Sequence, residues 1–413
     1  MGLAKRWMEE QEAQGWVFMD GSVCRHCVDD YALEAAIEEA ANTELDCDFC
    51  GRSPAAPLNV LLGLFVEGVR YEYGDADDEG VFYDGREGGY QWHEVQDTWD
   101  LIMYSFSDVL IGDGLPEAVC AAVHDRAWVP RNFIEPRRDE ALNESWSSFC
   151  DEIKYRNRYV FFLREEDRDL GPGYIPPARI LMEIGELLLS ENLLVEIPAG
   201  RRFWRGRADS DRQATWGAKD LGTAPRTHAK QANRMSPAGI PMFYGAADVD
   251  TAIKEVLVRR PLGAKWAMAT AFETTHPCVL VDFTRLPTPP SLFDAQNRHR
   301  RRPLRFLRDF VADLRKPVDD GREQIDYIPT QVVTEYLLRI FSAPNGPVAG
   351  LLYTSATENG DCAVLDVPHE RCIEALDDRD DEDRLCLALV PGSLVIRAVP
   401  QPPELRPKRR FRF

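Results

Sequence analysis

Residues 233–256 read NRMSPAGIPMFYGAADVDTAIKEV. The stretch Asn233-Arg234-Met235-Ser236-Pro237-Ala238-Gly239 runs into a short apolar strand, Met242 to Ala246. Asp248 follows, a side chain suited to cap a helix N-terminus, and it opens a segment that presents Glu255 about two turns further on. A strand delivering at once into a capped helix marks a mixed α and β domain.

The neighbouring sequence extends that pattern. Short strand-like runs, LVEIPAG, KWAMATAFE, CVLVDF, GLLYTS and GSLVIRAV, alternate with helical segments. Upstream, ARILMEIGELLLSENLL reads as a helix opened by Pro176 and Pro177, behind a Gly/Pro-rich boundary from Asp169 to Pro177. Before the boundary the period changes: LNVLLGLFVEGVRY, TWDLIMYSFSDVL and LPEAVCAAVHDRAW are apolar-striped helices, with an acidic loop or short hairpin between Tyr73 and Tyr90.

Two C-x2-C knuckles stand near the N-terminus, Cys24-Arg-His-Cys27 and Cys47-Asp-Phe-Cys50, with a helical stretch between them. Four thiolates so spaced can close a tetrahedral structural Zn2+ site, and four protein ligands leave no open position for chemistry. Gly51 suits the turn of the second knuckle. His26 is a bystander, since the cysteines suffice. Residues 1–55 hold few large apolar side chains, so a metal would do the work of a core. The expected organisation is a zinc-binding module over 1–56, a helical domain over 57–168 and an α/β domain over 169–413 with a C-terminal extension: an α+β chain.

The composition, 44% hydrophobic and 29% charged over 413 residues, is that of a globular protein of two or three domains. A formal charge of -20 disfavours general binding of duplex nucleic acid, which needs clustered cations. No run approaches a membrane span and the start has no signal-peptide core, so a cytoplasmic address is expected. The cluster Arg298, Arg300, Arg301, Arg302, Arg305 and Arg308 reads as solvated surface.

Four blocks of the second half, in order, resemble the RES domain family: Phe203-Trp204-Arg205-Gly206-Arg207, the Asn233 to Val256 stretch, Pro329-Thr330-Gln331-Val332-Val333-Thr334-Glu335-Tyr336, and Gly350-Leu351-Leu352-Tyr353-Thr354-Ser355. The Asn-Arg-Met-Ser block is a variant of a shorter stretch in simpler members, and this chain is longer between blocks. Trp146-Ser-Ser-Phe149 and Arg156-Asn-Arg158-Tyr159 resemble the HEPN-type helical region that precedes some RES domains. HEPN ribonucleases pair an Arg with a nearby His, and KYRNRY has none, so nuclease activity is not expected. The resemblance implies an ADP-ribosyltransferase-like fold and a cytoplasmic toxin or defence enzyme that consumes NAD+ or transfers ADP-ribose, restrained by an antitoxin or regulatory protein.

The chemistry sets its own demands. Breaking the nicotinamide-ribose bond of NAD+ passes through an oxocarbenium-like cation, which a carboxylate must face. Glu255 is the candidate. A fixed guanidinium can grip the diphosphate with parallel hydrogen bonds; Arg205 is the first candidate and Arg234 the second. Tyr244 could stack on nicotinamide or bond a ribose oxygen, and Ser355 could touch substrate or orient Glu255. Asn233 and Gln331 complete the expected binding residues. Three readings stay open: NAD+ glycohydrolase or phosphorylase, ADP-ribosyltransferase acting on a protein or nucleic acid, with the arginine cluster as a possible acceptor-docking surface, and an inactive interaction module.

Overall fold

The computed structural model describes residues 12–163, 173–212, 216–258, 263–319, 321–355, 360–375 and 384–399. Residues 169–172 of the expected linker lie outside them, as does the chain beyond 399. Two compact units emerge: Met1–Ala141 with Gly171–Gly173 and Thr288–Arg305, and Leu142–Leu170 with Tyr174–Pro287 and Phe306–Phe413.

The first unit is mainly helical. Helix α1 (Tyr31–Glu39) starts where the Asp30 side chain accepts from the Ala32 and Leu33 amides. Helix α2 (Leu58–Glu72) buries Leu58, Leu61, Leu62, Phe65, Val66 and Val69, the spacing of one helical face. Helices α3 (Thr98–Ser105) and α4 (Leu115–Ala122) add Leu101, Ile102, Leu115 and Val119 to the same core. Each such side chain contributes roughly 1.5–3 kcal/mol on burial. The acidic stretch forms a short hairpin, Tyr83–Asp84 against Gly89–Tyr90, as expected.

Cys24, Cys27 and Cys47 belong to the α2 core, so the cysteine region has no core of its own and the expected cut after residue 56 runs through one cluster. Thr288–Arg305, an insertion by sequence position, supplies Leu292 and Phe293 to that cluster. The Phe293 ring stacks on Phe65 at 5.3 Å, in space that a side chain at Gly68 would occupy. The arginine cluster is solvated surface only in part: Arg305 and Arg308 are exposed, whereas the others are half-buried. Arg298 pairs with Glu67 at 2.9 Å and lies over the Tyr71 ring, while Arg302 pairs with Glu72 and, at 3.1 Å, with Asp139.

The second unit is built on a ten-stranded mixed sheet. Its strands are β1 (Leu194–Ile197), β2 (Arg202–Asp209), β3 (Phe243–Ala246), β4 (Trp266–Thr274), β5 (Cys278–Asp282), β6 (Val348–Thr354), β7 (Asp361–Leu365), β8 (Cys372–Ile373), β9 (Leu387–Leu389) and β10 (Val395–Ala398). Their spatial order is β8-β9-β4-β2-β3-β7-β6-β5-β1, with β10 also paired to β4. Most neighbours are antiparallel; β5 and β6, and β8 and β9, run parallel.

Helix α5 (Arg138–Asp151) enters this unit from residue 142. Trp146 and Phe149 of the quoted Trp-Ser-Ser-Phe block are buried and stack on each other, and the Trp146 indole donates to Asp313 at 2.9 Å. They serve packing. Helix α6 (Pro177–Ser190) begins at the expected proline pair. Helices α7 (Val249–Val258), α8 (Arg301–Arg315), which belongs to this unit from Phe306, and α9 (Ile328–Arg339) complete the unit's frame.

The two faces of the sheet carry different cores. On one, Trp204, Ala246, Ala267, Ala269, Cys362 and Tyr353 pack with Ala252 and Ile253 of α7. On the other, Phe203, Phe243, Met268, Phe272, Ala363 and Leu365 pack together. That split follows from the alternation of side chains along each strand.

Candidate functional site

Four sulfurs meet in the first unit. The pairing of Ser22–Val23 with Ala56–Pro57 closes the chain around both knuckles. Cys24 Sγ lies 3.8 Å from Cys27 Sγ and 3.3 Å from Cys50 Sγ, and Cys27 Sγ lies 3.6 Å from Cys47 Sγ. A tetrahedral zinc with Zn–S of about 2.3 Å would hold sulfurs about 3.8 Å apart, so the set fits that geometry with little adjustment.

Three of the thiols are buried and Cys50 is exposed. Burial and the neighbouring thiols push Cys27 and Cys24 up; although burial raises Cys50 too, the Arg52 amide and the other thiols pull it down to about 7. Gly112 presses on the cluster: a Cβ there would sit 2.8 Å from Cys27 Cβ. These four residues could hold a metal ion.

The second cluster assembles at the α7 end of the sheet. The Asp248 carboxylate accepts from the Thr251 amide at 2.8 Å and from the Thr251 hydroxyl at 2.7 Å, which starts α7 as its sequence requires. The same bonds, the amide first, hold the Asp248 carboxyl below its usual range. Two turns on, Glu255 is half-buried and its carboxylate accepts from the hydroxyl of Ser355, at the end of β6. Ser355 is 1% exposed, so that hydroxyl has little water to bond instead.

Tyr353 stands two residues before Ser355 and so on the same face of β6. Burial drives its phenol well above the usual range; Cys362, Tyr244 and Glu255 push further and Arg234 opposes them. One electrostatic neighbourhood therefore holds Glu255, Tyr353, Tyr244 and Arg234.

The 233–236 turn borders that neighbourhood. Asn233 and Ser236 exchange backbone hydrogen bonds at 2.8 and 3.3 Å, and the buried Gln331 amide donates to the Asn233 carbonyl at 2.8 Å. The Tyr244 hydroxyl accepts from the Met235 amide at 3.3 Å and shares a bond with the Ser236 hydroxyl at 3.0 Å. Gln331 thus holds the turn, and the turn holds Tyr244. Arg234 donates to the carbonyls of Leu314 and Lys316 at 2.7 and 2.9 Å and lies over the Tyr327 ring, which satisfies carbonyls that the end of α8 leaves open.

Arg205 stands elsewhere. A Cβ on its neighbour Gly206 would lie 2.6 Å from Val256 and 2.8 Å from the Ala252 carbonyl, so Gly206 faces α7 and Arg205, by alternation, faces away. Its guanidinium donates to the Tyr244 carbonyl at 2.9 Å and lies 5.2 Å over the Phe243 ring, in the opposite core; burial lowers its pKa. Of the expected residues, then, Glu255, Ser355, Tyr244 and Arg234 come together, Asn233 and Gln331 support them, and Arg205 reaches only the Tyr244 backbone.

Three residues of this neighbourhood went unread in the sequence. Tyr353 and Ser236 sit inside the quoted blocks, and only strand alternation and the turn geometry distinguish them. Arg315, whose Nη2 donates to the Ser355 carbonyl at 3.3 Å, ends an arginine-rich helix and looks like one more surface cation.

Family models match the chain in two places, the HEPN/RES N-terminal domain 1 over residues 40–167 and the RES domain over residues 202–386. The second match contains every residue of the sheet-end cluster; the first takes in Cys47 and Cys50 and begins after Cys24 and Cys27. No curated protein matches the chain. Among the described residues, no helix is long and apolar enough to cross a membrane.

Proposed function

The chain carries a RES domain behind a HEPN/RES N-terminal domain, a family associated with NAD+-directed toxin activity, and from that premise we propose that it breaks the nicotinamide-ribose bond of NAD+ at Glu255. The observation that carries the reading is the bond from the buried Ser355 hydroxyl to the Glu255 carboxylate, made by residues far apart in sequence on a helix and a strand end. A carboxylate fixed in that way keeps its charge aimed at one point, which is what stabilising a developing cation requires.

In the proposed reaction the C1′–N bond breaks and its electron pair returns to the nicotinamide ring, which leaves neutral. Glu255 faces the ribosyl cation while water or inorganic phosphate attacks C1′; attack by water releases a proton to Glu255 or to solvent. Water yields ADP-ribose, and phosphate yields its 1-phosphate ester. Tyr244, steadied by Ser236 and Met235, supplies an aromatic face or hydroxyl for the nicotinamide riboside. Arg205 contributes through the Tyr244 backbone. Several arginines of the cluster read as an acceptor-docking surface are engaged with Glu67, Glu72 and Asp139, which favours a small nucleophile over a docked acceptor.

We propose further that the four cysteines bind structural zinc and that an antitoxin or regulatory partner restrains an enzyme that would otherwise drain NAD+. The test of the reaction is nicotinamide release from NAD+, with and without phosphate, beside Glu255→Gln. Release abolished in the variant supports the assignment. Release that survives the substitution refutes it, and NAD+ that neither binds nor reacts in the wild type favours an interaction module.

A further inference from the structure

We propose that Arg315, rather than Arg205, is the residue that grips the diphosphate of NAD+, an inference that rests on the assignment of NAD+ to the Glu255 site. Four observations converge on it. Arg315 closes α8, and its Nη2 donates to the carbonyl of Ser355, the residue whose hydroxyl binds Glu255. The guanidinium therefore touches the residue that holds the reacting carboxylate.

Arg315 has donors to spare. Its Nε is buried and meets no acceptor, and none of the salt bridges among the described residues includes it. A half-buried cation without a carboxylate favours an anion beside it, and a planar fork with donors to spare suits two phosphate oxygens.

The backbone on both sides of Arg315 is fixed. Arg234 donates to the carbonyls of Leu314 and Lys316, the residues that flank it. Arg234 is thus a positioning residue: its Nη1 is spent on the end of α8, and the neighbouring side chain is left to meet the ligand.

Arg205, finally, is directed to the other face of β2, where its guanidinium serves Tyr244 and Phe243. On the side of the sheet where Glu255 stands, Arg315 meets Ser355 and Arg234 acts on Tyr353.

The experiment compares wild type, Arg315→Gln and Arg315→Lys by titration calorimetry with ADP-ribose, which carries the diphosphate, and by cleavage of nicotinamide riboside, which lacks it. A lost bidentate contact weakens ADP-ribose binding of Arg315→Gln by about tenfold or more, with Arg315→Lys between the two, while cleavage of nicotinamide riboside falls by a much smaller factor. Unchanged ADP-ribose affinity in a variant that melts like the wild type overturns the proposal. Equal losses on both ligands overturn it too, because they mean that Arg315 acts by holding Ser355. A wild type that binds neither NAD+ nor ADP-ribose removes the underlying reading itself, an outcome distinct from either.

Discussion

The four-cysteine cluster and the Glu255 cluster are both polar groups gathered among buried atoms, but they are assembled over very different lengths of chain. The cysteines come from two knuckles within residues 24–50, joined by one helix and closed off by one flanking two-residue strand pair. Glu255, Ser355, Tyr244, Arg234 and Arg315 come from a helix, two strands, a turn and a second helix end spread over residues 234–355. A short-range site is written in spacing. A long-range site is written in topology, and its residues acquire meaning only when the sheet order is known.

The two clusters should therefore fail differently, and the largest difference is expected from Cys47→Ser. Structural zinc binding is worth about 10–16 kcal/mol in finger-sized peptides, comparable with the whole stability of a domain at about 5–15 kcal/mol. Cys24, Cys27 and Cys47 lie in one core with Leu33, Leu58 and Phe65, so loss of a metal held by them would open that core. Elemental analysis is expected to find one zinc per wild-type chain and little in the variant, and residues of the first unit should become the first sites of limited proteolysis. A variant that melts and resists protease like the wild type would show that the thiols pack well enough without a metal.

Ser355→Ala probes the other cluster with little structural cost, because it removes a single hydroxyl. It leaves the Glu255 carboxylate without its buried donor. Hydrogen bonds to charged groups are worth about 1.5–3 kcal/mol, so kcat for nicotinamide release should fall by roughly ten- to a hundredfold, with a moderate fall in melting temperature. If kcat holds and only KM rises, the hydroxyl contacts ground-state substrate instead of orienting Glu255.

The contrast also explains what could be read from residues alone. The strands at 194–197, 243–246, 266–274, 278–282, 348–354 and 395–398 announce themselves by apolar runs between turns, and the proline pair marks the start of α6. Strand β7 is missed because Asp361-Cys-Ala-Val-Leu365 is short and lies between polar segments, yet it is the link between β3 and β6 that sets Tyr244 and Ser355 two strands apart. The face on which Arg205 lies depends on a strand parity that the motif does not state; Gly206 shows it only once α7 is seen against that glycine. The same limit applies to Thr288–Arg305, whose arginines look like solvated charge until Phe293 is found in the core of the first unit.

The smallest effect should come from Asp248→Ala, and its pH dependence identifies the cause. At Asp248 sequence and structure agree on both role and geometry, as the cap that starts the helix carrying Glu255. Removing such a cap costs about 1 kcal/mol, read as the difference in unfolding free energy between wild type and variant. Because the Thr251 amide holds the carboxyl below its unfolded value of 3.8, the carboxylate stabilises the fold above pH 3.8, and that contribution is lost as pH falls through the lower folded pKa. The wild type should therefore lead at pH 7 and the gap should narrow steadily below pH 3.8. A gap that stays constant across that window would mean that the cap acts through shape or helix propensity rather than charge, and the start of α7 would then depend on packing against Gly206 more than on the residue that precedes it.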